Sequence, residues 1–509
     1  MSQAAVEPAH ASSTPKHVDV LIIGAGISGV GGACHLQQQC PEKSFLILEN
    51  QSEFGGTWRT HKYPGIRSDS DLYTFGYRFK PWTGKPIATA DAILEYMEEV
   101  IEEHGLNDHT RYGHTVKSAR WSSEDALWTV TAERRDSGQT TTFTCHFLWM
   151  CQGYYKHARG YTPQWPGMDR FDGPIVHPQT WPENLNYAGK RVLVIGSGAT
   201  AATLVPAMAE KGGHITMLQR SPTFFAPGEN RNELADMLRE LEVPEEWIHE
   251  IVRRKILHDM KVVQERSFEE PEKLRDDLIA GARAYLGPDF DVEKHFTPSY
   301  RPWQQRLAFI PDGDLFKGIA AGKASVVTDE IETFTERGVL LKSGEELEAD
   351  IIVTATGFDL CVLGDIDFAI DGEALDFSQS YTWRGILYSG VPNMAWVFGY
   401  LRTSWTMRAD LIGDFVCRLL KHMDAKGVDL VVPTLSAAEV AEPARPFIEK
   451  DNFNPGYLDR SMHLMPKQGQ RTPWIFPQDY YVEKDEIPAA DLEDGTLVYG
   501  QRKLSKRAS

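Results

Sequence analysis

Two stretches of the chain repeat the same order of hydrophobic and polar positions. In the first, the apolar run His17–Ile23 ends in a glycine-rich loop, after which Val30, Ala33 and Leu36 recur at helical spacing. In the second, the apolar run Arg191–Ile195 ends in another glycine-rich loop. A short β-branched run is typical of a buried strand, and the spacing after it is typical of one helix face. Each stretch therefore predicts a strand, a tight loop and a helix.

The pattern changes after the second stretch. Residues 230–286 carry Leu, Ile and Val at helical spacing among many charges, which predicts a helical insertion. Strand signals return at residues 325–328, 339–341 and 350–355, so the second unit is predicted to resume beyond the insertion. Residues 411–420 predict an amphipathic helix whose apolar side packs on the core rather than on a membrane.

The first loop, Gly24-Ala25-Gly26-Ile27-Ser28-Gly29, has the spacing of a dinucleotide-binding fingerprint. Gly24 would make the tight turn, Gly26 would admit a pyrophosphate, and Gly29 would let the helix pack closely on the strand. The free N–H groups of the first helical turn would meet the phosphates. The next apolar run ends in Glu49, where a ribose hydroxyl would bind. An accidental glycine turn is the alternative, but the combination predicts a nucleotide site at Gly24, Gly26, Ser28, Gly29 and Glu49.

The second loop, Gly196-Ser197-Gly198-Ala199-Thr200-Ala201, has Ala201 in place of the third glycine, which the motif permits. The strand after its helix ends in Arg220 and Ser221 instead of an acid. A guanidinium suits a 2′-phosphate, so NADPH is favoured over NADH. A solvated surface arginine is the alternative. The expected contacts to this second nucleotide are Gly196, Ser197, Gly198, Thr200, Ala201, Arg220 and Ser221.

These patterns predict an α/β fold with two Rossmann-like dinucleotide-binding domains and a helical insertion. The first dinucleotide-binding domain would comprise residues 1–160 and 380–509. The second, for NADP, would comprise residues 161–225 and 301–379, with the insertion at 226–300. A chain of 509 residues exceeds the size at which single hydrophobic cores stop growing, which favours several domains.

Composition removes several other classes of protein. A net charge of −19 argues against nucleic acid as a partner. No apolar run is long enough to span a membrane, and Met1–Pro15 lacks the pattern of a secretory signal. The six cysteines show neither a C-x-x-C pair nor metal-ligand spacing, so we expect reduced thiols, a cytoplasmic location and no metal site. The missing pair also argues against a disulfide reductase.

One further motif resembles a known family. Residues 171–182, FDGPIVHPQTWP, match the fingerprint F-x-G-x-x-x-H-x-x-x-W-P of type I Baeyer–Villiger monooxygenases at every fixed position: Phe171, Gly173, His177, Trp181 and Pro182. The chain resembles this family from about residue 17 to at least residue 480, and most closely its ethionamide-activating subgroup. We expect the fingerprint to link the two nucleotide domains, with His177 bonded to backbone rather than acting as a proton donor.

The resemblance implies further site residues. The segment Gly55–Asp69 is similar to a second family pattern, which implies FAD contacts at Gly56, Thr57, Trp58, Asp69 and Tyr73. It also implies that Asp69 lies beside an active-site arginine, here Arg306; without the family pattern, both would be assigned to the surface. The preceding residue is Gln305 where many members have Lys, so NADPH preference would depend on Arg220. Trp474 resembles a tryptophan that covers the nicotinamide, although packing in the core is an alternative.

The activity implied by the resemblance is NADPH-dependent oxygenation. FAD reduced by NADPH would capture O2 as a C4a-peroxyflavin, which would attack a ketone and give an ester or lactone. The charge of Arg306 would keep the peroxide anionic and stabilise the oxyanion of the adduct, with Asp69 holding the arginine. The substrate would be a small ketone or a thioether. The alternatives are a heteroatom-oxidising flavin monooxygenase and a nucleotide-binding scaffold without turnover.

Overall fold

The first glycine-rich loop lies between a central strand and a helix, as the pattern predicts. The structure is a computed structural model that describes residues 15–502, so all but the last residue of the segment searched for a signal lies outside it. Up to residue 160 the elements are β1 Lys16–Ile23, α1 Ile27–Gln39, β2 Phe45–Leu48, α2 Thr57–Thr60, α3 Leu72–Phe75, α4 Ala90–Glu103, β3 Thr110–Arg111, β4 His114–Ser122, β5 Leu127–Arg134, β6 Thr140–Met150 and β7 Tyr155–Gly160.

The second glycine-rich loop lies between β9 and α5 and is followed by the helical insertion. The elements of this region are β8 Ile175–Val176, β9 Arg191–Ile195, α5 Ala199–Ala209, β10 His214–Gln219, β11 Phe225–Gly228, α6 Glu233–Glu240, α7 Glu245–Glu269, α8 Pro271–Leu286 and α9 Val292–Phe296. The insertion therefore consists of helices, and its longest member, α7, has 25 residues.

The chain then returns to the second unit. Its elements are β12 Ala308–Pro311, α10 Asp314–Ala320, β13 Ala324–Thr328, β14 Ile331–Phe334, β15 Gly338–Leu341, β16 Glu346–Glu348, β17 Ile351–Thr354 and β18 Phe358–Leu360. The second sheet is parallel, with the strand order β13-β10-β9-β17-β8. The predicted strand at 339–341 instead pairs with β14 and β16 in a separate antiparallel sheet.

The C-terminal part completes the first sheet. Its elements are β19 Asp367–Ile370, β20 Glu373–Ala374, β21 Thr382–Trp383, β22 Leu387–Tyr388, β23 Met394–Trp396, α11 Trp405–Lys426, β24 Leu430–Pro433, α12 Ala437–Val440, β25 Arg445–Pro446, α13 Gly456–Ser461, β26 Lys467–Gln468, α14 Tyr480–Glu486 and β27 Leu497–Gly500. The predicted amphipathic helix is α11, which packs along α1.

The first sheet combines parallel and antiparallel strands. Its order is β20-β19-β4-β5-β6-β1-β2-β3, with β23 added beside β6. The strands β2, β1, β6 and β23 run parallel, while β5 pairs antiparallel with both β4 and β6. Because β19 pairs with β4, the chain re-enters this sheet at Asp367. This point precedes the predicted boundary at residue 380, since no local pattern marks which sheet a short strand joins.

Two expectations drawn from composition, on membrane-spanning helices and on cysteines, can be compared with the structure of the described residues. Between residues 15 and 502, no helix combines the length and the apolar character that crossing a membrane requires. All six cysteines are free and buried.

Candidate functional site

The first glycine loop is closed so tightly that side chains do not fit. Gly24 has a φ of +104°, and a Cβ on Gly29 would lie 1.9 Å from the carbonyl oxygen of Gly24. Helix α1 begins at Ile27, and Gly26 at its N-cap provides no side-chain cap. The Gly29 N–H donates to the Gly26 carbonyl oxygen at 3.0 Å, so the N–H groups of Ile27 and Ser28 are the ones that remain for an anion at the positive end of the helix.

Glu49 fixes the position of this loop. Its Oε2 accepts a hydrogen bond from the backbone N–H of Ala25 at 2.7 Å, and its Oε1 accepts one from Gln51 at 2.8 Å. The carboxylate is buried, so these charge-assisted bonds are shielded from water. Glu49 also lines the cavity beside the loop, where the predicted ribose contact requires it.

A cavity of about 320 Å³ extends from this loop to a group of aromatic side chains. A Cβ on Gly56 would lie 3.0 Å from the Cα of Gly26, so the cavity floor depends on two glycines that face each other. The predicted FAD contacts that line it are Gly24, Gly26, Ser28, Glu49, Gly56, Thr57 and Trp58. This concave, Gly-floored site with a helix N-terminus at one end and aromatic rings at the other suits FAD.

The aromatic end includes residues that sequence reasoning missed or placed only loosely. The Tyr154 and Trp405 rings stack with centroids 5.2 Å apart, and Trp405 Nε1 donates to Ser28 Oγ at 2.8 Å. The Tyr155 hydroxyl bonds with Thr57 Oγ1 at 2.7 Å. A signal for the two tyrosines existed, because they follow directly on β6 at the carboxyl end of a parallel strand, where ligands bind in such folds.

Arg306 and Asp69 meet although 237 positions separate them in the chain. Arg306 Nε donates to Asp69 Oδ2 at 2.8 Å and Nη2 donates to Asp69 Oδ1 at 2.6 Å. The third nitrogen, Nη1, donates to the carbonyl oxygen of Leu401 at 2.8 Å. The predicted pair is thus a bidentate ion pair that joins three separate loops.

The electrostatics of this pair reach the cavity wall. Burial alone would lower the pKa of Arg306, but the charge and hydrogen bonds of Asp69 outweigh burial and raise that pKa. Burial raises the pKa of the Tyr154 hydroxyl, and the charge of Arg306 opposes this shift. Tyr154 lines the cavity, so the charge of Arg306 acts on a side chain of the cavity wall.

The predicted FAD or NADPH contacts that lie outside the cavity lining include Tyr73, Trp474 and Asp69. Tyr73 is buried, does not line the cavity, and accepts a hydrogen bond from Arg239 of α6 at 3.0 Å. Trp474 is 1% exposed within the hydrophobic core, and its Nε1 donates to Glu439 at 2.9 Å. Core packing, the alternative for Trp474, describes its position in this structure. Neither Asp69 nor its partner Arg306 lines the cavity.

The second glycine loop repeats the geometry of the first. Gly196 has a φ of +125°, and a Cβ there would lie 2.3 Å from the carbonyl oxygen of Ala355. Helix α5 starts after Gly198 without a side-chain cap, and Ala201 is buried in the third position. Arg220 and Ser221 follow β10 and are exposed, and Ser197 lies on the same side of the loop, with its Oγ 2.8 Å from Thr223 Oγ1. The roles of this set, including Thr200, in NADPH binding stay predictions.

The fingerprint residue His177 is held by backbone contacts, and its role in linking the two units stays a prediction. Its Nδ1 accepts from the N–H of Gln179 at 3.1 Å, and its Nε2 lies 3.2 Å from the carbonyl oxygen of Gly357. The Nε2-protonated, neutral ring satisfies both bonds, and burial lowers the pKa of His177 accordingly. A Cβ on Gly160 would lie 1.9 Å from the His177 ring, so the ring lies against β7 near its pairing with β18.

The other fingerprint residues have packing positions. Phe171 is buried against the second sheet, and Trp181 packs on the core around α5. A Cβ on Gly173 would lie 2.5 Å from the carbonyl oxygen of Asp350, so only glycine fits there. Pro182 follows the short helical turn Pro178–Thr180.

Away from the cavity, His17, Asp19 and His146 offer possible metal-ligand atoms within 4.8 Å of one another. This cluster contains no cysteine, so the spacing of the cysteines could not predict it.

Comparisons with known proteins agree with this geometry. Residues 22–81 match the model of the NAD(P)-binding Rossmann-like domain, and residues 86–226 match that of the flavin-binding monooxygenase-like family. The chain is 46% identical over 489 residues to the FAD-containing monooxygenase EthA of Mycobacterium tuberculosis, covering 96% of this chain and 98% of that protein. It is 45% identical over 496 residues to EthA of Mycolicibacterium smegmatis, covering 97% and 99%.

A solved structure supports the predicted fold. The crystal structure of oxidized steroid monooxygenase bound to NADP superimposes with a TM-score of 0.75 and 24% sequence identity, covering 96% of this chain and 100% of that one. At this identity the likeness concerns the fold, and it confirms the predicted α/β architecture with two dinucleotide-binding units.

Proposed function

This chain belongs to the FAD-containing monooxygenase family of EthA, and from that premise we propose that it inserts one oxygen atom from O2 next to a ketone carbonyl, giving an ester or a lactone. The membership confirms the family resemblance that the motifs predicted. The chain is thus a flavin monooxygenase, and the proposal concerns the type of oxygen transfer.

The cofactors assigned to the two units are FAD and NADPH. The first-turn N–H groups of α1 would hold the FAD pyrophosphate, Glu49 would hold a ribose, and the aromatic end of the cavity would surround the flavin ring. The second loop and Arg220 would hold NADPH. When bound, FAD takes a hydride from NADPH and passes the electrons to O2, so that one oxygen atom goes to the substrate and the other leaves as water.

The observation that carries the ketone assignment is the Arg306–Asp69 pair, because the charge of Arg306 acts on Tyr154 at the cavity wall. Addition to a ketone carbonyl puts negative charge on the carbonyl oxygen, which needs a nearby cation. At about 4 Å and an effective dielectric near 20, two opposite unit charges attract by roughly 4 kcal/mol. Arg306 stays charged throughout the reaction. Its Nη1 carries two hydrogens, of which one is donated to the Leu401 carbonyl oxygen, so the other can be donated to the substrate oxygen.

Asp69 positions this cation. The two parallel hydrogen bonds fix the guanidinium plane, and the carboxylate offsets the cost of burying the charge. A rigid donor at the reacting oxygen needs no reorganisation during the reaction, which is the condition for strong electrostatic stabilisation.

Oxidation of sulfur or nitrogen by the same site is the second candidate function. The match of residues 86–226 to the general flavin-binding monooxygenase-like model favours it, because that model does not specify a ketone. Transfer of oxygen to a thioether leaves no oxyanion on carbon, so it should depend much less on Arg306.

The experiment is a comparison of Arg306→Ala and Arg306→Lys with the unchanged enzyme. Each is incubated in air with NADPH and a panel of linear, cyclic and aryl ketones plus thioethers, and products are identified by mass spectrometry. We expect Arg306→Ala to bind FAD and to accept hydride from NADPH, but to lose ester formation by about two to three orders of magnitude. Normal ester yield from this variant would refute the role of Arg306, and sulfoxides without any ester from the unchanged enzyme would favour the second function.

A further inference from the structure

A second cavity lies next to the Arg306 loop. It has a volume of about 240 Å³ and is lined by one face of α7, by Trp303 and by Arg402. Trp303 precedes Arg306 by three residues, and Arg402 follows Leu401, whose carbonyl oxygen binds Arg306. Two of the three segments that meet at Arg306, its own loop and that of Leu401, therefore also form a wall of this cavity.

The lining is apolar except for a few side chains. From α7 it includes Ile256, Met260 and Val263, which together with Trp303 offer a surface for a hydrocarbon chain. The acid on this face, Asp259, is paired with Lys255 at 2.6 Å. Its charge is therefore already balanced.

Arg402 is the exception, because it forms no ion pair with a carboxylate among residues 15–502. The residue is 7% exposed, and its Nη1 is buried without a hydrogen-bond partner among residues 15–502. Asp479, an acid whose charge attracts Arg402, uses one carboxylate oxygen to cap α14 through the N–H of Tyr481 at 2.8 Å. A buried guanidinium nitrogen without an acceptor is costly, so a ligand that supplies one would bind favourably.

A second arginine adds to the positive charge. The guanidinium carbons of Arg301 and Arg402 lie 3.9 Å and 5.6 Å from the Phe268 ring centroid. Arg301 donates to the Ser267 and Asp451 carbonyl oxygens, neither of which carries a charge. Burial and the charge of Arg301 lower the pKa of Arg402 to about 10 against the attraction of Asp479, which leaves Arg402 cationic at neutral pH. An anion satisfies this environment better than a neutral carbonyl does.

We propose that Arg402 is a specificity-determining residue that binds the carboxylate of an apolar substrate, so that the preferred substrates are long-chain keto acids or carboxylate-bearing thioethers. This inference rests on the proposed monooxygenase function and extends it to a substrate class. The hydrocarbon part would lie along α7 and Trp303, and the reacting group would face Arg306. Carboxylate and guanidinium can form two parallel hydrogen bonds, which would also fix the orientation of the chain.

The kinetic test compares three substrates: a linear methyl ketone ending in a carboxylate, its methyl ester, and the plain methyl ketone of equal length. In the unchanged enzyme, kcat/KM for the acid should exceed that for the ester by about 10- to 150-fold, the range for a hydrogen bond to a charged group. Arg402→Met should bring this ratio close to one, mainly through KM, and Arg402→Lys should restore part of it. The control is Arg254→Met, which removes an exposed cation of α7, and it should keep the acid-to-ester ratio of kcat/KM unchanged.

A binding measurement separates this proposal from the reaction type. Calorimetric titration of the FAD-loaded enzyme with decanoate and with decanol needs no turnover, so it remains informative even if no ketone is converted. Decanoate should bind more tightly than decanol and lose about 10-fold or more in Arg402→Met. Equal affinity of decanoate for both enzymes, or an acid-to-ester ratio that Arg402→Met leaves unchanged, would overturn the proposal. Flavin absorbance of each variant verifies that it is folded.

Discussion

A buried histidine should make the stability of this protein fall as the solution becomes alkaline. His35 lies on α1 and is 1% exposed, with Nε2 3.1 Å from Asp410 and Nδ1 3.3 Å from Asp414, both on α11. A Cβ on Gly413 of α11 would lie 2.6 Å from the His35 ring, so only glycine leaves room for the ring at this position. Burial alone would lower the pKa of His35, but the two carboxylates raise it from 6.5 to about 9.

The size and sign of the effect follow from this shift. Below pH 6.5 both the folded and the unfolded chain bind the proton, and the stabilisation is fully present. Between pH 6.5 and about 9 only the folded protein keeps the proton, so its stability falls with rising pH. A difference of this size corresponds to about 3 kcal/mol. For cooperative units of roughly 150–250 residues, this lowers the melting temperature by at least about 6 °C.

The assay is thermal unfolding of the FAD-loaded enzyme and of His35→Gln, followed by flavin fluorescence between pH 6 and 9.5. Glutamine keeps a hydrogen-bonding group but cannot carry the charge, so the gap between the two proteins should narrow as the pH rises. Burial raises the pKa of Cys34 to about 12, so near pH 9 unfolding also releases cysteine protons. This contribution is common to both proteins and cancels in the difference. Parallel curves for the two proteins would refute the reasoning, whatever their offset.

Two further predictions concern the nucleotide loops. Arg220→Ala should weaken NADPH binding by about 10-fold or more, because it removes a charge-assisted bond to the 2′-phosphate, and should leave NADH nearly unaffected; titration with each nucleotide measures this, and equal losses would exclude the phosphate role. Gly29→Ala should give a protein that purifies without bound flavin, because the added Cβ would lie 1.9 Å from the Gly24 oxygen; a normally yellow, active variant would contradict the tight packing of this loop.

The parts of the fold that sequence reasoning predicted are those with local causes. Gly24 and Gly29 are required by the backbone at their own positions, and helical spacing over α11 depends only on neighbouring residues. The strands β19 and β23 are short, and what places them in the first sheet is a partner more than 240 positions earlier in the chain. No local pattern carries that information.

The same distinction applies to the site. The Arg306–Asp69 contact was predicted only through the family pattern, since charged residues taken alone are normally assigned to the surface. Tyr73 does not line the cavity, and its hydroxyl instead accepts a hydrogen bond from Arg239 of the helical insertion. Sequence reasoning did not predict Arg402 as a site residue. A buried arginine without an ion-pair partner can be recognised only from the positions of the surrounding helices.

The position of β23 has a consequence for biosynthesis. Strand β6 pairs with β1 on one side. On the other side its first part pairs with β5, and its last residues, Leu148–Met150, pair with β23, which ends at Trp396. A ribosome must therefore have translated more than three quarters of the message before the N-terminal sheet can close over this edge. Until then the end of β6 at Leu148–Met150 presents unpaired backbone groups and apolar side chains, which are the features that recruit chaperones and promote aggregation. Expression of fragments that stop short of Trp396 should consequently yield insoluble protein.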